Sequence, residues 1–77
     1  MSNDRTTERK TLRQWRDAAY LTQGELADKI GVTLTSISNW EIGTKQPRVK
    51  NLRALAAALG ITPDQIILVH KAEEDDS

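Results

Sequence analysis

Small polar side chains between positions 33 and 39 are the residues of this chain best suited to chemistry. Thr33, Thr35, Ser38 and Asn39 lie along one predicted helix, and each side chain both donates and accepts hydrogen bonds. Threonine, serine and asparagine are mediocre helix formers, whereas a surface helix chosen for stability alone would carry glutamate, lysine or alanine. The cluster therefore indicates a functional surface that works by hydrogen bonding.

Catalysis is not expected of this sequence. The 77 residues include one histidine, His70, and no cysteine, so the chain has no thiol nucleophile and too few ligands for a zinc site. The length allows one domain only. No apolar run approaches the roughly 18 residues that a membrane span requires, and residues 1–10 lack the apolar stretch of a signal peptide. We expect a cytoplasmic, non-enzymatic protein with no cofactor or metal.

The charge of the chain is neutral in sum but uneven in distribution. Four of the eleven acidic residues lie at positions 73–76, and residues 1–70 carry ten basic and seven acidic residues, a net charge of +3. The basic residues form two clusters: Arg9, Lys10, Arg13 and Arg16, and Lys45, Arg48, Lys50 and Arg53. Clusters of this kind are most often a solvated surface. Charge therefore permits binding to a nucleic acid without indicating it.

Five helices are predicted to position these residues, because apolar residues recur at helical spacing. The predicted helices cover about 7–20, 23–30, 33–41, 49–59 and 63–69. Thr22 and Glu25 form a capping box at the start of the second helix. The fifth helix is predicted from a second capping box, Thr62 and Gln65, with Pro63 at the first helical position.

The sequence thus predicts an all-α, compact five-helix domain over residues 7–70. Residues 1–6 are expected to form a flexible leader, since they are polar and lack apolar periodicity. Residues 71–77 are expected to form a disordered acidic tail, because their composition offers too little apolar surface to bury.

The interior residues between positions 22 and 41 match a helix-turn-helix. This motif consists of two short helices joined by a tight turn that often contains glycine. Gly31 supplies the turn, and Ala27 is the small residue required where the two helices cross closely. The apolar positions that fix the crossing are filled by Leu26, Ile30, Val32, Ile37 and Trp40. The alternative is an ordinary helical hairpin within a small bundle.

A longer pattern carries a resemblance to a known family. The string Thr22-Gln23-x-x-Leu26-Ala27-x-x-x-Gly31-Val32-x-x-x-x-Ile37-Ser38-x-Trp40-Glu41-x-Gly43-x-x-x-Pro47 resembles the lambda-repressor-like, Cro/C1-type (XRE) helix-turn-helix family. The resemblance covers about residues 9–69. It implies a bacterial or phage-encoded, nucleoid-associated regulator of transcription. Such a regulator, usually a repressor, binds a palindromic DNA operator in the major groove as a homodimer.

The resemblance also implies which residues read DNA bases. The recognition helix would be about 33–41, and the residues at its base-facing positions are Thr33, Leu34, Thr35, Ser38 and Asn39. Asparagine can pair with adenine through two hydrogen bonds. Leu34 departs from the polar residues common at its position, so it either contacts a thymine methyl group or reads nothing.

Phosphate contacts are expected around the recognition helix. Gln23 matches the glutamine that typically holds a backbone phosphate, and the free N–H groups of a helix N-terminus suit such an anion. Arg16 matches a residue that pairs with Glu41, and we expect the pair to aim the guanidinium toward phosphate; the alternative is a surface salt bridge. Arg48 lies where an N-cap residue is common, and arginine caps poorly. The remaining phosphate candidates are Lys45, Gln46 and Lys50.

Four consecutive apolar residues near the end of the chain predict a homodimer contact. They are Ile66, Ile67, Leu68 and Val69. On a period of 3.6 residues they cannot all point inward, so some should be exposed in a monomer. Two-fold dimers read two half-sites about 34–36 Å apart. The alternative is a last helix that is simply more apolar than it needs to be.

A protein-interaction module is the second functional hypothesis. In this case the fold neutralises or docks a protein partner, as an antitoxin does, and DNA binding is secondary or lost. The acidic residues 73–76 and the apolar residues 66–69 would suit a protein partner. Among DNA-binding proteins, a phage- or plasmid-type repressor and a restriction–modification controller share this length and motif.

Overall fold

The computed structural model describes residues 8–70, and the predicted leader at 1–6 and acidic tail at 71–77 lie outside them. Within the described residues four α-helices carry the structure, together with one turn of 3-10 helix and two very short strands. The elements are β1 (Lys10–Thr11), α1 (Leu12–Ala18), α2 (Gln23–Ile30), α3 (Leu34–Ile42), α4 (Val49–Leu59), the 3-10 turn (Pro63–Gln65) and β2 (Ile66–Ile67).

The first helix is shorter than the sequence pattern predicts, at both ends. Thr11 is its N-cap: the Thr11 hydroxyl accepts from Gln14 N at 3.2 Å, and Gln14 Oε1 accepts from Thr11 N at 3.0 Å. Lys10, directly before Thr11, lies in β1 and not in a helix. At the other end, Tyr20 has a positive φ of 58°, which is incompatible with a continuing helix. Ala19, directly after the last residue of α1, is exposed.

The second and third helices have the ends that the sequence predicts. Glu25 N donates to the Thr22 hydroxyl at 3.0 Å, and Thr22 N donates to Glu25 Oε1 at 2.8 Å, which confirms the capping box. Gly31 ends α2 with φ 75°, a left-handed conformation that costs glycine little. Thr33 then caps α3 by accepting from Ser36 N at 3.1 Å. The helix-turn-helix therefore forms from local signals.

The predicted fifth helix is wrong. The capping box between Thr62 and Gln65 is present, but it opens only one 3-10 turn, and Ile66–Ile67 then pairs as β2 in parallel with β1. In this register Lys10 lies opposite Ile66 and Thr11 opposite Ile67. Ile66 and Ile67 are β-branched, and such side chains favour an extended backbone. β1 provides the backbone hydrogen-bond partners that a strand at this position requires. The described fold is thus mostly helical, consistent with the predicted all-α class, with four helices and one small parallel ladder in place of the fifth.

Side chains reinforce the junction between the two ends of the described chain. Trp15 Nε1 donates to the backbone oxygen of Gln65 at 2.9 Å, and Gln65 Nε2 donates to the backbone oxygen of Glu8 at 2.9 Å. Arg9 Nε donates to the backbone oxygen of Asp64 at 3.1 Å. The segment after α4 is therefore held against α1 and the residues that precede it.

One hydrophobic core joins the helix-turn-helix to the rest of the fold. Leu26 from α2, Ile37 from α3 and Leu55 from α4 are completely buried. The other buried apolar residues are Leu12, Ala27, Trp40, Ala56 and Ile66. The prediction that Leu26, Ala27, Ile37 and Trp40 are interior is confirmed. Since α3 buries Ile37 and Trp40 on one side, its opposite side remains available to a ligand.

Candidate nucleic-acid interface

The exposed side of α3 carries the polar residues that the sequence singled out. Leu34 and Thr35 are exposed in the first turn, and Ser38 and Asn39 are partly buried one turn later. The Thr33 hydroxyl is already engaged, because it caps the helix and donates to the Ser36 hydroxyl at 3.0 Å. Thr33 is therefore less free to contact a ligand than Thr35 or Ser38, neither of which has a side-chain hydrogen bond within residues 8–70.

Asn39 is oriented by a residue that sequence reasoning missed. Thr44, in the turn after α3, donates its hydroxyl hydrogen to Asn39 Oδ1 at 3.1 Å. The backbone oxygen of Asn39 accepts from Gly43 N at 2.9 Å and Thr44 N at 3.1 Å, which closes the end of the helix. A carboxamide oxygen has a second lone pair, and the amide nitrogen has two hydrogens. Asn39 is thus held in place and still able to donate and accept.

Glu41 joins α1, α2 and α3 through its carboxylate. Glu41 Oε2 accepts from Arg16 Nε at 2.6 Å, and Oε1 accepts from Arg16 Nη2 at 3.1 Å. Oε1 also accepts from Gln23 Nε2 at 3.0 Å. The side chains of Arg16 and Glu41 are 11% and 5% exposed, so this is a buried pair and not a surface salt bridge. The Glu41 carboxylate also holds the side-chain amide of Gln23 in position at the start of α2.

The environment of Arg16 favours its charged form. The hydrogen bond with Glu41 raises the pKa of the guanidinium above its usual range, with burial opposing and the charges of Glu41 and Asp17 adding to the effect. Arg16 Nη1 donates to the backbone oxygen of Leu21 at 2.8 Å. Three of the five N–H groups of Arg16 are therefore used inside the protein. A phosphate contact by Arg16 stays a prediction, and it would have to use the two that remain.

An open groove runs between the N-terminal turn of α2 and α3, with one side bordered by α1. Its volume is about 830 Å³. The groove brings together base-contact candidates on α3, the phosphate candidate Gln23 and two arginines of α1. The residues that line it are Arg13, Arg16, Thr22, Gln23, Gly24, Leu34, Ser38, Glu41 and Ile42. Arg13 and Ile42 were not among the predicted contacts, although helical spacing from Arg16 and Ser38 could have placed them there.

The loop between α3 and α4 and the first turn of α4 carry cations that are free to meet an anion. Lys45, Arg48 and Lys50 are exposed, and in the described part of the chain none of them forms a salt bridge. Arg48 is the N-cap residue of α4 but makes no capping hydrogen bond with its side chain. The first N–H groups of α4 and three cations therefore lie close together in the chain, an arrangement that suits a phosphate.

Gln46, also predicted to contact phosphate, has another role in the fold. Its Nε2 donates to the backbone oxygen of Val69 at 2.8 Å, and its Oε1 is buried with no hydrogen-bond partner in the described residues. Gln46 therefore attaches the segment after β2 to the loop before α4. Its phosphate contact stays a prediction that would require this hydrogen bond to rearrange.

The apolar segment at 66–69 is partly exposed, as predicted, but not in the expected conformation. Ile66 is 4% exposed and belongs to the core, so it is removed from the predicted contact with a second copy. Ile67 and Leu68 are 40% and 38% exposed. Val69 is partly buried. Within β2 the two residues alternate as an extended strand requires, with Ile66 buried and Ile67 exposed, whereas Leu68 and Val69 lie beyond the strand.

No helix within residues 8–70 has the length and hydrophobicity to cross a membrane. No group of three or more histidine, aspartate or glutamate side chains in that range has the geometry to hold a metal ion.

Comparison with known proteins identifies relatives of this fold. The helix-turn-helix family profile matches residues 12–66. The chain is 38% identical over 58 residues to the cryptic phage CTXphi transcriptional repressor RstR of Vibrio cholerae, covering 75% of this chain and 52% of that protein. It is 34% identical over 56 residues to the HTH-type transcriptional activator BcrR of Enterococcus faecalis, covering 73% of this chain and 28% of that protein. The matched region thus spans about half or less of each relative.

Proposed function

The chain belongs to the helix-turn-helix family, and from that premise we propose that it is a sequence-specific DNA-binding regulator of transcription. Repression is the proposed direction, because the more similar of the two relatives described above is named as a repressor. The observation that carries the proposal is the division of α3 into two sides. Ile37 and Trp40 anchor it in the core, while Thr35, Ser38 and Asn39 occupy the opposite, accessible side.

In the proposed complex α3 lies in the major groove of duplex DNA. That groove is about 12 Å wide and admits a helix, and every base pair presents a distinct pattern of donors and acceptors there. Asn39 would pair with adenine by donating from Nδ2 and accepting at Oδ1, with Thr44 holding the amide in orientation. Thr35 and Ser38 would each add one hydrogen bond. Discrimination therefore rests chiefly on Asn39.

The phosphate backbone would be held at two places beside α3. At the first, Gln23 uses one amide hydrogen for Glu41 and keeps the other for a phosphate oxygen, next to the N-terminal N–H groups of α2. At the second, the exposed cations Lys45, Arg48 and Lys50 lie within a few residues of the start of α4 in the chain. Arg16 would act through Glu41, as a positioning residue for Gln23, rather than as the principal phosphate ligand.

We further propose that two copies associate and read a palindromic operator. Ile67 and Leu68 expose adjacent apolar side chains, 40% and 38% accessible, and burying them against their counterparts would remove this surface from water. Ile66–Ile67 form a strand and residues 68–69 follow it, so the contact would involve a strand edge rather than a helix. The same exposed pair is what favours the second candidate, a module that docks a protein partner.

A selection experiment tests the proposal. The full chain is incubated with a library of randomised DNA duplexes, bound duplexes are amplified over several rounds, and affinity for the enriched sequence is measured at several salt concentrations. We expect one enriched sequence, bound with an affinity that falls as salt rises. Asn39→Ala should lose discrimination at one base pair, whereas Gln23→Ala should weaken binding to every duplex.

One result would exclude DNA binding as the function, and a second would exclude α3 as the surface that reads the sequence. The first is binding that shows no salt dependence and no enrichment with any duplex. The second is enrichment that Asn39→Ala, Thr35→Ala and Ser38→Ala all leave unchanged, because a different surface would then be reading the sequence.

A further inference from the structure

Leu34 is an exposed apolar residue at the first position of α3. Its side chain is 53% accessible, although it lies beside the polar residues of the proposed reading surface. The Leu34 side chain lies close to the first turn of α2, since a Cβ atom placed on Gly24 would be 3.8 Å from Leu34 Cδ1. Leu34 is therefore in van der Waals range of the first turn of α2, while the rest of its exposed surface is open to the groove.

Ile42 extends the same apolar row. Leu34, Ser38 and Ile42 are four residues apart from one to the next, so they follow one side of α3 over two turns. Ile42 is 53% exposed, and all three residues line the groove that also contains Arg13 and Gln23. The groove thus has an apolar row on one wall and hydrogen-bond donors on the others.

We propose that this row recognises the C5-methyl group of a pyrimidine in the DNA major groove, with Leu34 as the direct contact. The proposal rests on the proposed function, because it requires α3 to lie in that groove. The C5-methyl group is the apolar group that a base pair presents there. Leucine has no donor or acceptor, so apolar contact is the interaction open to it. Thymine and 5-methylcytosine both present this methyl group.

A DNA occupant fits the groove better than a protein segment does. The apolar row contains only two apolar side chains, and the same groove is lined by Arg13 and Gln23. The Gln23 amide nitrogen already donates one hydrogen bond to Glu41. A methyl group beside a phosphate backbone matches both the small apolar area and the neighbouring donors. The methyl group would fill the space between Leu34 and Ser38.

The expected effect follows from the burial of one carbon. A buried methyl or methylene group contributes about 0.8 kcal/mol, which is roughly four-fold in affinity at 25 °C. Removing the methyl group from the base or truncating Leu34 should therefore weaken binding by a similar factor. Removing both should weaken it little further, because the two groups contribute through the same contact.

Matched duplexes test the inference once a bound sequence has been selected. Each thymine is replaced in turn by deoxyuridine, each cytosine by 5-methylcytosine, and affinities are measured for the wild-type chain. We expect one position where uracil weakens binding roughly four-fold, which identifies thymine, or where methylation strengthens it by that factor, which identifies 5-methylcytosine. Leu34→Ala should abolish this dependence, and Leu34→Met should keep it.

Val49→Ala is the matched control, since Val49 is 64% exposed but does not line the groove. It should leave the methyl dependence unchanged. Circular dichroism verifies that each variant is folded. Failure to select any sequence would contradict the proposed function itself. A selected sequence bound by the wild type without methyl dependence at any position, or methyl dependence that survives Leu34→Ala, would overturn this inference alone.

Discussion

Arg16 and Glu41 face each other across the interface between α1 and the last turns of α3, joined by hydrogen bonds of 2.6 Å and 3.1 Å. Both side chains are almost completely removed from water. Because Glu41 also accepts from Gln23, a single carboxylate links the first helix, the start of the second helix and the end of the third. The orientation of the proposed reading helix thus depends on this pair.

Replacing Glu41 with glutamine should destabilise the fold. The substitution preserves shape but leaves the Arg16 charge buried without its counterion, and the loss of one partner of a buried pair costs about 3–5 kcal/mol. We expect a decrease of about 3 kcal/mol in the free energy of unfolding, measured with urea. Asp17→Asn is the control: Asp17 is 60% exposed and 3.3 Å from Arg16, so its loss should change stability by less than about 1 kcal/mol.

The contribution of Arg16 should not vary with pH in the neutral and mildly alkaline range. Its pKa is raised in the folded state, so the stability it contributes is fully present below the pKa of the unfolded chain. That stability is lost only as pH rises through the still higher pKa of the folded state. The difference in unfolding free energy between wild type and Arg16→Gln should stay constant from about pH 7 to about pH 10. A steady decline over that interval would contradict the assignment.

Thr44→Val should reduce base discrimination with little effect on stability. The variant removes the hydroxyl that holds Asn39 Oδ1, so the amide is free to rotate away from the geometry that pairs with adenine. We expect a loss smaller than the roughly 1–3 kcal/mol of a complete two-bond contact, confined to the base pair that Asn39→Ala also affects. Thr44→Ser keeps a hydroxyl and should behave as the wild type. Competition binding with single-base variants of the selected duplex measures the difference.

Arg48→Ala should weaken binding to all duplexes alike and flatten its salt dependence. A cation that contacts phosphate releases about one counterion, so the slope of log affinity against log salt should decrease by about 1. Gln23→Ala should also weaken binding, but without this change in slope, because its side chain is neutral. Lys29→Ala is the control: Lys29 is exposed in the last turn of α2 and lies outside the groove. Equal slopes for Arg48→Ala and Lys29→Ala would remove Arg48 from the interface.

Tyr20→Gly should stabilise the fold. Tyr20 has φ 58° and is 92% exposed, so it adopts a left-handed conformation with almost no packing to compensate. That conformation costs a non-glycine residue roughly 1–2 kcal/mol, part of which is offset by the greater freedom of glycine in the unfolded chain. We expect a gain of up to about 1 kcal/mol in urea unfolding. Gly31→Ala, at φ 75°, should lose a similar amount.

Leu68→Asp should prevent self-association if residues 67 and 68 form the dimer contact. A charge at this position would be buried against its counterpart without a partner, which is unfavourable. Sedimentation of the wild type should depend on concentration, and that of the variant should not. Val49→Asp introduces the same charge at a residue that is 64% exposed and separate from the segment. A wild-type chain that stays monomeric at every concentration would reject the dimer.

The helix-turn-helix was predictable from the sequence because its signals are local. The capping box of Thr22 and Glu25, the left-handed turn at Gly31 and the periodic positions of Leu26 and Ile37 each act within one or two helical turns. These signals agree with one another, so tertiary packing had no reason to override them. The functional role of the polar residues of α3 was also predicted from local sequence, because threonine, serine and asparagine are poor helix formers and yet lie along a predicted helix.

Tertiary structure decided the features that depend on residues distant in the chain. Ile66–Ile67 became a strand because β1, more than fifty residues earlier, offered a backbone to pair with. The hydrogen bond between Gln46 and Val69 and the ion pair between Arg16 and Glu41 likewise join residues that are distant in the chain. Apolar pattern and capping signals report what a segment prefers alone. Which partners its polar groups find is determined only when the chain has folded, because those partners are separated in sequence and brought together by the core.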